Sequence, residues 1–296
     1  MNPPLSFVLF TALDGTWKRI RTIVTPTFTA AKLREINPIV VDCLEVLQKK
    51  MQVYSETGED VNITRLFALF ALDVIMKAAF GYDIDVQNQP NDEFLSMTRK
   101  NIRVPLWKRA FSAFPFSDQL CDIFNIQIFS NADYFLDIAH TMIVKRKDQA
   151  GPAHARRDVL QLMLEAHDNE VDGKPKLSDD EIAAQCFVFL IAGFETTSTT
   201  LTSAAYLLAK HPDIQETFQQ ELDKATDENK DSSPYDLVHH IEYLDKVVCE
   251  VLRLYGPGFN LIRVCNEDVV IKVDLEHKAT VIMLPKNDVI LKIRKR

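Results

Sequence analysis

Residues 177–212 read LSDDEIAAQCFVFLIAGFETTSTTLTSAAYLLAKHP, the longest continuous helical signal in the chain. Ser178 followed by Glu181 has the spacing of a capping box, in which each side chain satisfies a backbone N–H of the first turn. Asp179 and Asp180 suit the positive end of the helix dipole, and Pro212 marks the stop. The stretch between would span about 48 Å at 1.5 Å per residue, which predicts a helix running through a body rather than over it. Its centre is unusual. Gly193 costs about 1 kcal/mol against alanine in a helix interior, and Thr196, Thr197, Ser198, Thr199, Thr200, Thr202 and Ser203 crowd hydroxyls where packing is expected. Such hydroxyls bond back to the i−4 carbonyl and bend helices. A small residue, an acid at Glu195 and a hydroxyl at Thr196 fit a helix that faces a cavity. Periodicity equally allows a core helix with a tolerated glycine.

Around this stretch the chain reads as mainly helical. Gly15 to Val24 is a short basic helix with Trp17 and Arg21 on one face at i,i+4 spacing. Ala30 to Val53 and Val61 to Phe80 carry apolar residues at helical intervals, the second closed by Gly81 as a left-handed cap. From Asp83 to Asn131, prolines and phenylalanines alternate with no clean period, as in short helices and loops over an apolar space or an irregular packed surface. Ala132 to Asp148, Asp158 to His167, Asp213 to Thr226 and Ile241 to Leu254 follow as helices, with a linker at Gly151 to Arg157. The strand signals are the alternation over Asp268 to Val273 and the apolar run Val281 to Leu284.

The totals narrow the function. With 296 residues, 47% of them hydrophobic, the chain can bury a substantial core. A net charge of −8 argues against nucleic-acid binding, which needs clustered Lys and Arg. The five cysteines, Cys43, Cys121, Cys186, Cys249 and Cys265, are odd in number and include no C-x-x-C pair. They fit a reducing compartment and no disulfide framework or compact zinc site. Leu5 to Leu13 lacks the basic flank of a signal peptide, and the apolar centre Ile182 to Phe194 is shorter than the about 20 residues that span a bilayer.

Glu250 and Arg253 lie at i,i+3 within EYLDKVVCEVLRLYGPG, Glu242 to Gly258. This string resembles the E-x-x-R helix of the cytochromes P450, the heme-thiolate monooxygenases. AGFETTS, Ala192 to Ser198, is similar to their oxygen-activation helix, and WKRIR, Trp17 to Arg21, to their W-x-x-x-R helix. RVCNEDV, Arg263 to Val269, completes four segments in the family's order. HPDIQETFQQELD and DVLQLMLEAH resemble the eukaryotic microsomal branch, closest to its drug- and steroid-oxidising group.

The resemblance implies a mainly α fold, the central part of a single P450 domain over 1–296, with a small β element near the C-terminus. It implies heme as cofactor. Trp17, Arg21 and Arg263 match residues that bind the heme propionates, a sensible task for indole N–H and guanidinium donors. Ala192 and Gly193 match the small residues that leave room over the iron. Thr196 matches the hydroxyl that hydrogen-bonds dioxygen, and Glu195 the acid that helps deliver protons. Glu250 and Arg253 match a structural pair that locks the core beneath the heme. An apolar small-molecule substrate, an NADPH-dependent flavoprotein reductase and the endoplasmic reticulum membrane follow by the same resemblance.

The pattern departs in one place. The family's ligand loop, F-x-x-G-x-R-x-C, has no counterpart among the five cysteines, so no metal-ligating residue is expected here. HKATVIMLP, His277 to Pro285, has His277 and Ala279 where Pro and Gly are usual, and KNDVILKIRKR matches nothing. The expectation is a fragment without N-terminal anchor or ligand loop, unable to complete the monooxygenase cycle. The alternative is a non-catalytic helical fragment that acts through protein association.

Overall fold

The computed structural model describes residues 5–10, 12–83, 85–90, 94–97, 132–148, 158–168, 177–257 and 290–292. Its helices are α1 (Asp14–Val24), α2 (Ala30–Thr57), α3 (Ile63–Phe80), α4 (Ala132–Asp148), α5 (Val159–Asp168), α6 (Asp179–Lys210), α7 (Pro212–Glu228) and α8 (Glu242–Tyr255). Two short strands, β1 (Asp60–Asn62) and β2 (Ile290–Lys292), pair antiparallel with Val61 opposite Leu291. The fold is mainly α, as the sequence predicts. The expected strands at Asp268 to Val273 and Val281 to Leu284 lie outside the described residues, as do most of Asp83 to Asn131 and the Gly151 to Arg157 linker. Among the described residues the β pairing uses Ile290–Lys292, which the sequence did not single out.

The chain divides into two compact units, Met1–Gln52 with Ala68–Glu195, and Val53–Phe67 with Thr196–Arg296. The first holds a continuous core in which Ile20 and Val24 of α1, Leu72 and Met76 of α3, Phe135 and Ile143 of α4, Leu160 and Met163 of α5, and Phe187 and Phe194 of α6 are buried. Phe94, Tyr134, Phe135 and Phe187 meet at ring separations of 5.2–6.3 Å with tilted or edge-on geometry, the arrangement that ring quadrupoles favour. Gly81 ends α3 at φ +59°. Its N–H donates to Lys77 O at 3.1 Å, the bond of an αL cap, and the N–H of Tyr82 reaches Met76 O at 3.0 Å.

One joint ties three helix ends together. Arg146 of α4 donates to Phe80 O, the last carbonyl of α3, at 2.8 Å and to Asp158 Oδ2 at 2.9 Å. Asp158 in turn caps α5 by accepting from Gln161 N at 2.8 Å. Backbone groups without intrahelical partners are thereby satisfied by one part-buried guanidinium–carboxylate pair.

In the second unit, α7 and α8 carry mostly exposed polar faces, with Ala225, Ile241 and Val251 buried. Leu207, Leu208, Ile214, Val247, Val251 and Leu254 line an apolar groove of about 320 Å³. Among the described residues, α6 alone is long and apolar enough to cross a membrane. That is longer than the apolar centre suggested, because the threonine-rich half extends it; yet 67% of its most apolar window is buried inside the protein, the signature of a core helix.

Candidate functional site

The site is assembled on α6. Its capping box forms as its spacing predicts: Ser178 N donates to Glu181 Oε2 at 2.9 Å, and Glu181 N donates to Ser178 Oγ at 3.2 Å. Glu181 also takes the guanidinium of Arg19, with Arg19 Nη1 at 3.1 Å from Oε2 and Nη2 on Oε1. Burial pushes this carboxyl upward, but the Arg19 hydrogen bond, the Ser178 N–H and the Arg19 charge outweigh it and hold the group below the usual carboxylate range. One turn on, the buried amide of Gln185 donates to Phe7 O at 2.6 Å and accepts from Leu9 N at 3.2 Å. A turn further, the Phe189 ring meets that of Phe28 at 5.8 Å.

Successive helical residues rotate by about 100°, so Glu181, Gln185, Phe189, Ala192 and Thr196 fall within an arc of about 80° on one face of α6. Helix α1 and its flanking segments cover that face from Glu181 to Phe189. At Ala192 and Thr196 the same face is exposed. Glu195, one position earlier in the rotation, is buried at 7% exposure. The adjacent acid and hydroxyl therefore face different surroundings. Two of the predicted back-bonds are present, Thr200 Oγ1 to Thr196 O at 2.9 Å and Thr202 Oγ1 to Ser198 O at 2.7 Å.

Gly193 stands directly against α3. A Cβ built there would lie 2.7 Å from Ile75 Cδ1 and 3.2 Å from Ile75 Cγ1. The bare face of the glycine admits the side chain of α3, so its role in this structure is close helix–helix approach.

On α1, Trp17 and Arg21 are both exposed and four residues apart. The donor chemistry of this pair fits carboxylates such as heme propionates. Arg263 lies outside the described residues. In the second unit Glu250 and Arg253 form a two-point pair at 2.6 and 2.7 Å, with Arg253 66% and Glu250 53% exposed. Arg253 holds the Glu250 carboxyl below its usual range, as an i,i+3 pair on any helix surface does.

The described cysteines differ in burial. Burial pushes the thiols of Cys43 and Cys186 up to about 12. Cys249 is exposed on α8, and Cys121 and Cys265 lie outside the described residues.

Sequence reading missed Arg19, because its partner stands 162 positions away. Gln185 did leave a signal, a lone amide inside the apolar run AAQCFVF.

Comparison with known proteins gives the family. The family model described as Cytochrome P450 matches residues 3–287. The chain is 38% identical to cytochrome P450 3A2 of Rattus norvegicus over 282 residues, 93% of this chain and 55% of the relative. It is 39% identical to cytochrome P450 3A31 of Mesocricetus auratus over 277 residues, covering 92% and 54%. It is also 39% identical to cytochrome P450 3A12 of Canis lupus familiaris over 279 residues, covering 92% and 55%. The chain thus spans about half the length of the curated relatives it matches. With a family match over nearly the whole sequence, and with the family's helix segments found on α1, α6 and α8, the chain belongs to the cytochrome P450 family.

Proposed function

We infer that the protein is built for heme-dependent monooxygenation of an apolar small molecule. The observation that carries this reading is the face of α6, where coverage by α1 ends and Ala192 stands exposed within a sequence that matches the family. Heme, when bound, supplies the dioxygen activation of this family.

The chain's own residues have defined tasks in this reading. The Trp17 indole N–H and the Arg21 guanidinium donate to the propionate carboxylates, joined by Arg263 on the resemblance of RVCNEDV. Ala192 keeps side-chain bulk away from the reacting position. The Thr196 hydroxyl donates a hydrogen bond there, and Glu195, the acid beside it in sequence, takes the proton-delivering role on the resemblance of AGFETTS. Gly193 belongs to this segment, although its bare face is occupied by Ile75. Glu250 and Arg253 have a structural task. The electron donor is an NADPH-dependent flavoprotein reductase, and the working place is the endoplasmic reticulum membrane.

The same reading holds that the 296-residue segment by itself does not complete the cycle, because none of its five cysteines stands in an F-x-x-G-x-R-x-C setting. The test is to reconstitute the chain with hemin, reduce it and add carbon monoxide. Hemin binding without the difference band of thiolate-ligated iron is expected. A thiolate band with substrate turnover would overturn the statement about the cysteines, and failure to bind hemin would overturn the heme reading for this segment.

A second reading, association without catalysis, draws on the apolar groove between Leu207, Val247 and Leu254 in the second unit. Light scattering separates the two: a hemin-free chain that associates reversibly, with no hemin affinity, favours the second.

A further inference from the structure

We propose that Arg19 and Glu181 form a positioning pair that fixes the rotation of α1, so that Trp17 and Arg21 are presented together for carboxylate binding. The inference rests on the heme reading for its consequence, and on geometry alone for the clamp itself.

At about 100° per residue, Trp17 and Arg21 lie about 40° apart on α1, and Arg19 lies about 180° from their midpoint. The buried residues Ile20 and Val24 occupy the side of the helix between Arg19 and Trp17. A helix resting on an apolar stripe can roll, because hydrophobic contact has no direction. A guanidinium that meets a carboxylate at two points cannot roll without breaking a planar fork. Arg19 therefore acts as a key on one flank, and the orientation of the Trp17 and Arg21 pair on the other flank follows from it.

The carboxylate that receives the key is itself fixed. Glu181 is tied to the first turn of α6 through Ser178 N, and its side chain is nearly buried. Gln185, on the same face, holds the backbone of the segment before α1 through Phe7 O and Leu9 N. Translation of α1 is thus limited by Gln185 and rotation by Arg19, both against one helix.

Four variants of the full chain test this: Arg19→Gln, Arg19→Lys, Glu181→Gln and the double Arg19→Gln/Glu181→Gln. Glutamine at 181 keeps a capping-box side chain, so α6 retains its start. Lysine at 19 keeps the charge and loses the fork. Amide hydrogen exchange is read over residues 14–24 and, as control, over residues 63–80. Each single variant is expected to raise exchange in α1 about tenfold with α3 unchanged, and the double to be no worse than either single, because both remove one interaction. Hemin affinity is expected to fall about tenfold in all four, including Arg19→Lys.

Unchanged exchange in α1 overturns the clamp. Raised exchange with unaltered hemin affinity overturns its role in presenting Trp17 and Arg21. Full retention of affinity in Arg19→Lys reduces the pair to simple charge attraction and overturns the rotational account. If the unmodified chain binds no hemin, the heme reading fails, and exchange in α1 decides the clamp by itself: a rise confined to 14–24 supports it and no rise overturns it.

Discussion

Arg19 of α1 and Glu181 of α6, separated by 162 positions in sequence, meet through a two-point guanidinium–carboxylate contact whose acceptor also closes the capping box of α6. One carboxylate thus sets where the longest helix begins and where its neighbour sits. Glu181→Ala removes both functions and takes the Glu181 carboxylate away from the part-buried Arg19 guanidinium. A loss of about 2–4 kcal/mol is expected, combining a charged hydrogen bond with a cap. Urea unfolding measures it, and Glu181→Gln, which keeps the cap, should lose less.

The pH dependence follows from the same group. Its folded-state pKa is depressed, so its contribution to stability is present above the unfolded value of about 4.3 and is lost as pH falls through the lower folded value. The stability gap between the unmodified chain and Glu181→Gln should be constant from pH 7 down to about 5 and close below about 4. A gap that widens on acidification would contradict the assignment.

Gly193 yields a packing prediction. Alanine gains about 1 kcal/mol of helix propensity but places a methyl 2.7 Å from Ile75 Cδ1. Overpacking costs about 1–3 kcal/mol, so Gly193→Ala should be net destabilising in thermal melts. Valine at position 75 removes Cδ1, and Gly193→Ala/Ile75→Val should recover part of the loss, giving a favourable coupling in the double-mutant cycle.

Thiol reactivity should split by burial. Cys43 and Cys186 are buried with thiols pushed up to about 12, whereas Cys249 is exposed. Peptide mapping after brief alkylation of the native chain should find Cys249 modified and Cys43 and Cys186 protected until denaturant is added. Early labelling of Cys186 would place α6 outside the core.

Much of this was legible because it is local. The capping box at Ser178, the glycine cap at Gly81 and the span of Ala132–Asp148 depend on residues within a few positions of one another, and the structure shows all three. Helix α2 runs through Pro38, as the apolar spacing from Ala30 to Val53 predicts, even though proline removes one of its hydrogen bonds. What was not legible is non-local. Strand Ile290–Lys292 pairs with Asp60–Asn62, and no turn signal joins them. Arg19 was passed over for Trp17 and Arg21 because its partner has no spacing relationship to it. At Gly193 the sequence showed a missing side chain but not what occupies the gap, and Ile75 supplies that.

The most direct test of the heme reading uses the two tryptophans of the chain, Trp17 and Trp107. With Trp107→Phe as background, hemin is titrated while Trp17 emission is followed. The account predicts saturable one-to-one quenching, with affinity lowered about tenfold by Arg21→Gln, the loss of one charged hydrogen-bonding partner. Quenching that does not saturate, or an affinity indifferent to Arg21→Gln, would contradict it.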